Sequence, residues 1–281
     1  MTERAGRRGV GLMLISSAWF ACMAASVKAL ATSLPTAEIV FFRCLLPLPY
    51  LVWLARDRGA RLIAADRALI ALRCLLGSGA MALYFYALGR LPLGEVILLG
   101  KTQPVFVALF APFLLGERAG VAVVAALGAS LVGAVLIAQP GLALGDPVGA
   151  LMLLAALLSA LSHMAIRRLT ESEDPATVVL DFTIFVAIGS CLIGGSDFVL
   201  PEAGHAPALL GVAGFATLGQ LFMTHAYQAD EAPGVAAAGY ASVVFSMALG
   251  WLFWSEVPSG AAWAGGGLVV GSGMLLLWTR K

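Results

Sequence analysis

Charged side chains are scarce in this chain. Asp, Glu, Lys and Arg together make up 12% of the 281 residues, and hydrophobic residues make up 60%. Ordinary soluble domains carry about 25% charged residues, and a soluble protein this apolar would expose large hydrophobic patches. The composition therefore predicts an all-α integral membrane protein. The net charge of +1 gives no basis for binding nucleic acid.

Motifs for enzymatic, metal or ATP-dependent chemistry are also missing. The four cysteines lie apart in the sequence, without a C-x-x-C pair, so a redox or metal role has no support. There is no phosphate-binding P-loop and no Gly-x-Ser-x-Gly. Asp181 with His163 is the one weak candidate pair for an intramembrane enzyme. We therefore predict that the protein is not an enzyme, with no catalytic residues, metal site or cofactor.

Long apolar segments fill the chain in place of these features. Ten segments of about twenty residues follow one another with short connections, and each is long enough to cross a hydrocarbon core of about 30 Å as a helix. The predicted spans are 10–31, 36–55, 68–88, 93–115, 119–138, 147–166, 175–195, 207–228, 233–254 and 258–278. The connections leave no room for a soluble domain, so the function must reside among the helices.

The distribution of basic residues predicts the orientation. With a cytoplasmic N-terminus, twelve of the 17 Lys and Arg residues fall in inside segments and two, Lys28 and Arg90, fall outside. Such a bias is typical of cytoplasmic loops. We expect ten helices in the cytoplasmic (inner) membrane with both termini cytoplasmic. Arg73, within the third span, is expected to extend its side chain to the inner interface.

The second half of the chain repeats the pattern of the first. The sequence QPVF at 103–106, followed by LGE at 115–117, recurs 139 residues later as SVVF at 242–245 and WSE at 254–256. Because each unit has an odd number of spans, the two copies must cross the membrane in opposite directions, as in many carriers. The pattern predicts two inverted five-helix repeats and a transporter. The glutamates Glu117 and Glu256 are expected to cap or lock loops.

Several short motifs occur in the order found in a known family. They are EIVFFR at 38–43, YA at 86–87, PVF at 104–106, GE at 116–117 and SE at 255–256. On these motifs the chain resembles the ten-helix EamA-type members of the drug/metabolite transporter superfamily. The resemblance implies two EamA-type repeats, at 1–140 and 141–281, and secondary transport of small organic solutes through a cavity between them. It implies no particular substrate.

Two features depart from the pattern of that family. Val243 stands where the second repeat often carries the proline seen at Pro104, so symmetric kinking of the two helices is in doubt. Lys101 is a basic residue where many members look uncharged.

Two basic residues predict an anion site. Arg43 and Lys101 both lie about 10–12 Å below the outer interface, at a rise of 1.5 Å per residue. Because a charge inside the membrane is costly, it should face the bundle interior and have a partner. A substrate carboxylate or phosphate would be such a partner. The alternative is that Glu38, Glu95 or a backbone carbonyl neutralises Arg43, which would then only support packing.

Other polar and aromatic residues within the spans complete the set of candidates. The predicted substrate-binding residues, besides Arg43 and Lys101, are Trp19, Tyr86, Gln103, Tyr240, Ser242 and Gln220. The candidates for coupling transport to protons are Asp181, His163 and His225. Asp181 could also balance Arg43 across the pseudo-dyad or receive a substrate amine. For each candidate the alternative is a purely structural role in packing or at the interface.

The sequence as a whole predicts a secondary transporter or facilitator that works by alternating access. The favoured substrate is an amino acid or another carboxylate-bearing solute. Two alternatives stay open: a carrier of a larger amphipathic solute, such as a nucleoside-linked metabolite or drug, and a non-transporting assembly or lipid-handling subunit. The expected partners are a small-molecule substrate and the lipid bilayer. Proton coupling, export versus import and a homodimer are left open.

Overall fold

All regular structure in the described part of the chain is helical. The computed structural model describes residues 5–30, 33–88, 90, 99–138, 147–194, 197–199, 201–255 and 257–279. Twelve α-helices are found there: α1 Ala5–Leu30, α2 Thr36–Leu45, α3 Leu48–Asp57, α4 Arg67–Leu88, α5 Gln103–Leu114, α6 Val121–Ala138, α7 Pro147–Leu169, α8 Pro175–Gly194, α9 Ala206–Ala229, α10 Ala232–Ala238, α11 Ala241–Trp254 and α12 Gly260–Thr279.

These helices form ten spans, as the sequence predicts. Eight apolar stretches are long enough to cross a membrane, and α5 and α6 are shorter apolar helices. Helices α2 and α3 together make span 2, and α10 and α11 together make span 9; every other span is one helix, numbered in chain order. Residues 91–98, at the start of the predicted fourth span, lie outside the described residues. We name the two faces inner and outer after the predicted topology.

The spans pack mainly across the two halves of the chain. Span 1 packs against spans 8 and 9, and span 6 packs against spans 3 and 4. Spans 2 and 7, 4 and 9, and 5 and 10 also pair with each other. The pairings of span 1 with spans 8 and 9 correspond to those of span 6 with spans 3 and 4, when each span is replaced by its counterpart in the other half. The other three pairings each join a span to its own counterpart. The packing therefore has the twofold pseudo-symmetry expected of a duplicated five-helix unit.

Spans 5 and 10 cross where both helices carry small residues. A Cβ atom placed on Gly133 would lie 2.6 Å from the carbonyl oxygen of Gly265, and one placed on Gly265 would lie 2.5 Å from the carbonyl oxygen of Gly133. The hydroxyls of Ser130 and Ser272 share a hydrogen bond of 2.5 Å close to the crossing. Small residues allow this close backbone approach, which holds helices together in lipid.

Gly133→Ala is expected to weaken this crossing. The added methyl group would meet a backbone carbonyl that cannot move without shifting α12, so the free energy of unfolding should fall by about 1–3 kcal/mol, as for other overpacked sites. The matched control is Gly128→Ala on the same helix, because a Cβ there meets nothing within 4 Å. The control should leave stability unchanged or raise it. Equal unfolding curves in a denaturing detergent titration of the two variants would contradict the expectation.

Candidate functional site

A small cleft lies between the two halves, inside the bundle. Span 2 of the first half and spans 7 and 8 of the second half contribute its walls. The lining residues are Arg43, Cys44, Phe182, Thr183, Ala216, Thr217 and Gln220. Two of the residues predicted to bind substrate, Arg43 and Gln220, therefore meet at one place. The cleft presents one cation, hydroxyls, an amide and an aromatic ring, and in this conformation it has room only for a water-sized group.

Arg43 has only a weak partner within the described residues. Its Nη1 donates to the sulfur of Met81 at 3.5 Å, and a thioether is a weak acceptor. The carboxylate of Glu38 instead accepts a hydrogen bond of 2.9 Å from the backbone N–H of Val199, and Glu95 lies outside the described residues. A cation at mid-span costs about 2.5–3.5 kcal/mol on insertion scales. Arg43 therefore retains most of its capacity to bind an anion.

Arg73 lies in the interior, and the prediction that it extends to the inner interface is wrong. It is 3% exposed. Its Nη1 donates to the hydroxyl of Ser162 at 2.9 Å, and its guanidinium carbon lies 3.8 Å from the centre of the Phe182 ring. The physical reason is the space left by Gly77, one turn further along α4. A Cβ at that position would collide with the Arg73 guanidinium. The glycine lets the side chain fold inward between spans 3, 6 and 7.

Lys101 lies at an interruption in one span and contacts an interruption in another. Residues 101 and 102 are non-helical within span 4, and residues 239 and 240 are non-helical within span 9. The ammonium of Lys101 donates to the Ser242 hydroxyl at 2.5 Å and to the Gly239 carbonyl at 3.5 Å. In return the Tyr240 hydroxyl donates to the Lys101 carbonyl at 2.6 Å. We call these four residues the clasp.

The clasp solves the problem that a broken helix creates in a membrane. An interrupted span leaves carbonyls without their helical donors, and such groups are tolerated only where the protein itself satisfies them. Lys101 and Tyr240 are 139 residues apart, so they occupy equivalent positions in the two repeats. The interruption is present in both, ahead of Pro104 in one and ahead of Val243 in the other. Symmetric interruption therefore does not depend on the proline.

His163 and Gln103 contact each other, although the sequence predicts different roles for them. The Gln103 amide nitrogen lies 2.8 Å from Nδ1 of His163, and the Tyr227 hydroxyl lies 3.3 Å from the same atom. Tyr227 is completely buried. These contacts join spans 4, 6 and 8. They place His163 in a polar cluster in the interior, and its proton-coupling role stays a prediction.

Asp181 lies at the inner side of the bundle and holds a loop. Its Oδ2 accepts from the backbone N–H of Ala64 at 2.8 Å. Four residues earlier in the chain, Thr177 donates to the Arg61 carbonyl at 2.6 Å. Eight residues earlier, Glu173 accepts from the Ala65 N–H at 2.6 Å. Three side chains spaced four residues apart thus fix the loop between spans 2 and 3 onto the start of span 7. A proton-coupling role for Asp181 stays a prediction.

His225 lies close to the inner surface, near the same loop. Its Nε2 is 3.3 Å from Nη1 of Arg58, and that guanidinium is 3.9 Å from Asp174. The structure therefore places His225 with charged groups at the interface and apart from the His163 cluster. Its coupling role also stays a prediction.

Glu117 locks the inner ends of three spans together. One carboxylate oxygen accepts from Nε of Arg167 at 2.7 Å, and the other accepts from the backbone N–H of Ala232 at 2.7 Å. The first contact joins spans 4 and 6. The second caps the N-terminus of α10, which has free N–H groups. Glu117 has the locking role that the sequence suggests, while Glu256 lies outside the described residues.

The remaining aromatic candidates lie in different places. Trp19 stacks on Phe215, with ring centres 5.6 Å apart and planes 17° apart, between spans 1 and 8. Its buried indole Nε1 has no hydrogen-bond partner in the described structure. Tyr86 is 45% exposed at the outer end of span 3, where the Arg90 guanidinium lies 3.7 Å from its ring centre. Tyr86 is therefore a surface residue, unlike the buried candidates.

Residues that sequence reasoning did not single out complete the interior cluster. Phe182 contributes to the cleft, Ser162 binds Arg73, and Tyr227 contacts His163. A signal was present for Arg73, because a basic residue followed four positions later by glycine has room to fold back onto its own helix. Phe182, Ser162 and Tyr227 gave no signal, since serines and aromatic residues are common in apolar helices.

Comparison with known proteins identifies relatives along the whole chain. The profile of the EamA-like transporter family matches residues 7–139 and 148–278. The Pseudopaline exporter CntI of Pseudomonas aeruginosa (strain UCBPP-PA14) is 35% identical over 98% of both chains. A Riboflavin transporter of Rhizobium johnstonii is 31% identical over 73% of this chain and 68% of its own. A solved crystal structure superposes with a TM-score of 0.82 at 20% identity, covering 98% of this chain and 96% of the other, and so has the same fold.

Proposed function

The chain belongs to the EamA-like transporter family and is a membrane transporter of small metabolites, and we propose that its substrate is an amino acid or another carboxylate-bearing solute. The observation that carries this proposal is Arg43. It lies in the interior, at a cleft between the two halves, and no described carboxylate forms an ion pair with it. A guanidinium binds a carboxylate through two parallel N–H···O bonds. The substrate would supply the missing negative charge.

Export from the cytoplasm is the direction we propose. The relative that is 35% identical over nearly the full length is named as an exporter. The protein would reside in the cytoplasmic membrane with both termini inside, since the basic residues fall almost entirely on that face.

Alternating access would use the contacts between the two halves as gates. On the inner face, the loop anchored by Glu173, Thr177 and Asp181 and the Glu117–Arg167 pair join the halves. On the outer face, the Glu38–Val199 hydrogen bond does so. Substrate would enter from one face while the contacts of the other hold, and each opening would require one set to break.

Proton coupling, where it occurs, would involve His163 first. Its contacts with Gln103 and Tyr227 put it in the interior, where a change of charge would alter the hydrogen bonds between spans 4, 6 and 8. Asp181 and His225, near the inner face, are the further candidates.

A second candidate substrate is a larger aromatic or amphipathic solute. The stacked pair of Trp19 and Phe215 and the unpartnered Trp19 N–H favour it, because a flat ligand could stack there and accept that hydrogen bond. Relatives named as riboflavin transporters agree with this class. In this case Trp19 would matter more than Arg43.

The test is binding and transport by Arg43→Gln in the full-length protein. Purified protein is screened for thermal stabilisation by amino acids, other carboxylates and flavins, since a ligand that binds the native state raises the unfolding temperature. The best hit is then followed as transport into proteoliposomes. For a carboxylate substrate, Arg43→Gln should lose at least about tenfold in affinity, the effect of one charge-assisted hydrogen bond.

The matched control is Arg90→Gln, which removes an exposed arginine at the outer surface. It should bind and transport like the wild type. Full carboxylate transport by Arg43→Gln would end the proposal. Stabilisation by flavins, lost in Trp19→Ala and retained in Arg43→Gln, would establish the second candidate instead.

A further inference from the structure

We infer that Arg43 and Arg73 together form a site for a substrate with two negative groups, with Phe182 between them. The inference deepens the proposed function and rests on it, because it assigns the substrate a second anionic group and gives that group a partner. Succinate-like diacids are the simplest members of this class. The names of the relatives do not point to Arg73, and the sequence analysis assigns it no substrate contact.

The ring of Phe182 connects the two arginines. One side of this ring lies against the Arg73 guanidinium, 3.8 Å from ring centre to guanidinium carbon. The same residue lines the cleft that Arg43 also lines. Arg73 therefore lies one aromatic ring away from the cleft that Arg43 lines. Spans 2 and 3 each bring a cation to the neighbourhood of one aromatic side chain of span 7.

No described carboxylate compensates these two charges. Their described polar partners are neutral: the sulfur of Met81 for Arg43, and the hydroxyl of Ser162 for Arg73. The Nε–H of Arg73 is buried and has no hydrogen-bond partner in the part of the chain that the structure describes. Burial and mutual repulsion both disfavour such a pair of charges. A dianionic ligand would relieve both costs at once.

The surroundings of Arg73 form a built site. Ser162 both accepts from the guanidinium at 2.9 Å and donates to the Arg73 carbonyl at 3.0 Å. A Cβ on Gly77 would lie 2.9 Å from the Phe182 ring and 3.0 Å from the Ser162 hydroxyl. Span 3 thus carries a glycine where the arginine, the ring and the hydroxyl come together. These contacts hold the guanidinium beside the ring and leave its buried Nε–H without a hydrogen-bond partner among the described residues.

In this conformation Phe182 lines the cleft and Arg73 does not. A change of the Phe182 rotamer would extend the cleft from Arg43 to Arg73. The first anionic group of the substrate would bind Arg43, and the second would displace the ring and bind Arg73. The position of the Phe182 ring would then depend on the length and charge of the substrate. Arg43 would bind monoanions and dianions alike.

The test compares diacids with their own monoamides. The probes are succinate, glutarate and adipate, each paired with the acid in which one carboxylate is an amide, so that size is matched and one charge is removed. Dissociation constants come from concentration-dependent thermal stabilisation of the purified full-length protein. The wild type should bind at least one diacid about tenfold or more tightly than its monoamide, as expected for one additional charge-assisted contact.

Arg73→Gln should remove this preference. Its diacid-to-monoamide ratio should fall to about one, with monoamide affinity within about threefold of the wild type, whereas Arg43→Gln should weaken both probes together. Arg73→Lys keeps the charge and should retain part of the ratio. If Arg73→Gln keeps the full diacid preference, or the wild type shows none, the two-cation site is overturned. If Arg43→Gln binds both probes normally, the proposed function fails separately.

A milder variant guards against misfolding of Arg73→Gln. Ser162→Ala removes the hydroxyl that holds the guanidinium and leaves the charge in place. It should lower the diacid-to-monoamide ratio at least about threefold, because the Arg73 guanidinium loses the hydrogen-bond acceptor that positions it. An unchanged ratio in Ser162→Ala, together with a folded Arg73→Lys that behaves like the wild type, would count against the geometry proposed here. If none of the six probes stabilises the wild type, the two-cation site is overturned, and the proposed function is judged separately by the screen of amino acids and other carboxylates.

Discussion

Glu117→Ala is expected to lower the free energy of unfolding by about 3 kcal/mol, the lower end of the range for breaking a buried ion pair. The side chains of Arg167 and Glu117 are 22% and 12% exposed, so solvent compensates little. The substitution leaves the Arg167 guanidinium without its 2.7 Å partner and the Ala232 N–H without its cap. Both losses act on the same face of the bundle, and unfolding in denaturing detergent would measure them together.

The chain offers a matched control for this experiment one turn beyond Arg167. Glu171 pairs with Arg168 at 3.9 Å, but those side chains are 52% and 59% exposed. Glu171→Ala should change stability by less than about 0.5 kcal/mol, because exposed ion pairs contribute little. Two variants of equal stability would show that the Glu117 contacts are dispensable. Glu117→Gln, which keeps an acceptor oxygen, should recover part of the loss.

Lys101→Met has the second large expected effect, because it opens the clasp while roughly preserving side-chain volume. The Gly239 carbonyl and the Ser242 hydroxyl both lose the ammonium that binds them. The shorter of these two contacts, a hydrogen bond to a charged group, contributes about 1.5–3 kcal/mol, so the free energy of unfolding should fall by about 2 kcal/mol. Transport should fall at least about tenfold, since spans 4 and 9 would lose a contact that positions their interruptions.

A double-mutant cycle separates the structural role of Lys101 from a role in substrate binding. Lys101→Met, Ser242→Ala and the double variant are compared for unfolding and for carboxylate binding. If the clasp is structural, the two substitutions should couple strongly in stability, and ligand affinity should change little. If Lys101 binds substrate, carboxylate affinity should fall in Lys101→Met whether or not Ser242 is present. Arg43→Gln serves as the reference for loss of a substrate contact.

The spans could be predicted because their signal is local. Hydrophobic length marks each helix, and the interruptions at residues 101–102 and 239–240 did not obscure it. The loop between spans 2 and 3 shows the limit of this reasoning. Thr177 and Asp181 lie four residues apart on one helix face, and Glu173 precedes that helix. Their partners are backbone groups of residues 61–65, which carry no sequence signal.

The sequence predicted how deep in the membrane the candidate residues lie, but it did not predict which neighbouring helix each side chain faces. The number of residues from the span end places Arg43 and Lys101 at a similar level, yet they contact different helices: Arg43 faces Met81 and the cleft, and Lys101 faces the interruption of span 9. Which way a side chain points around its helix depends on how the two halves pack. Arg73 was misplaced for the same reason, since its distance from the inner end suggested an interfacial residue.

The clasp also bears on the history of the chain as a fused duplication. Lys101 and Tyr240 occupy the same repeat position and donate to opposite halves. A complex of two identical first halves would bring two ammonium groups together at its axis, and a complex of two identical second halves would have none. Each half has therefore become the specific complement of the other. We expect that the two units, once diverged at this pair of residues, can no longer replace one another, and that the linked chain is the smallest unit able to assemble.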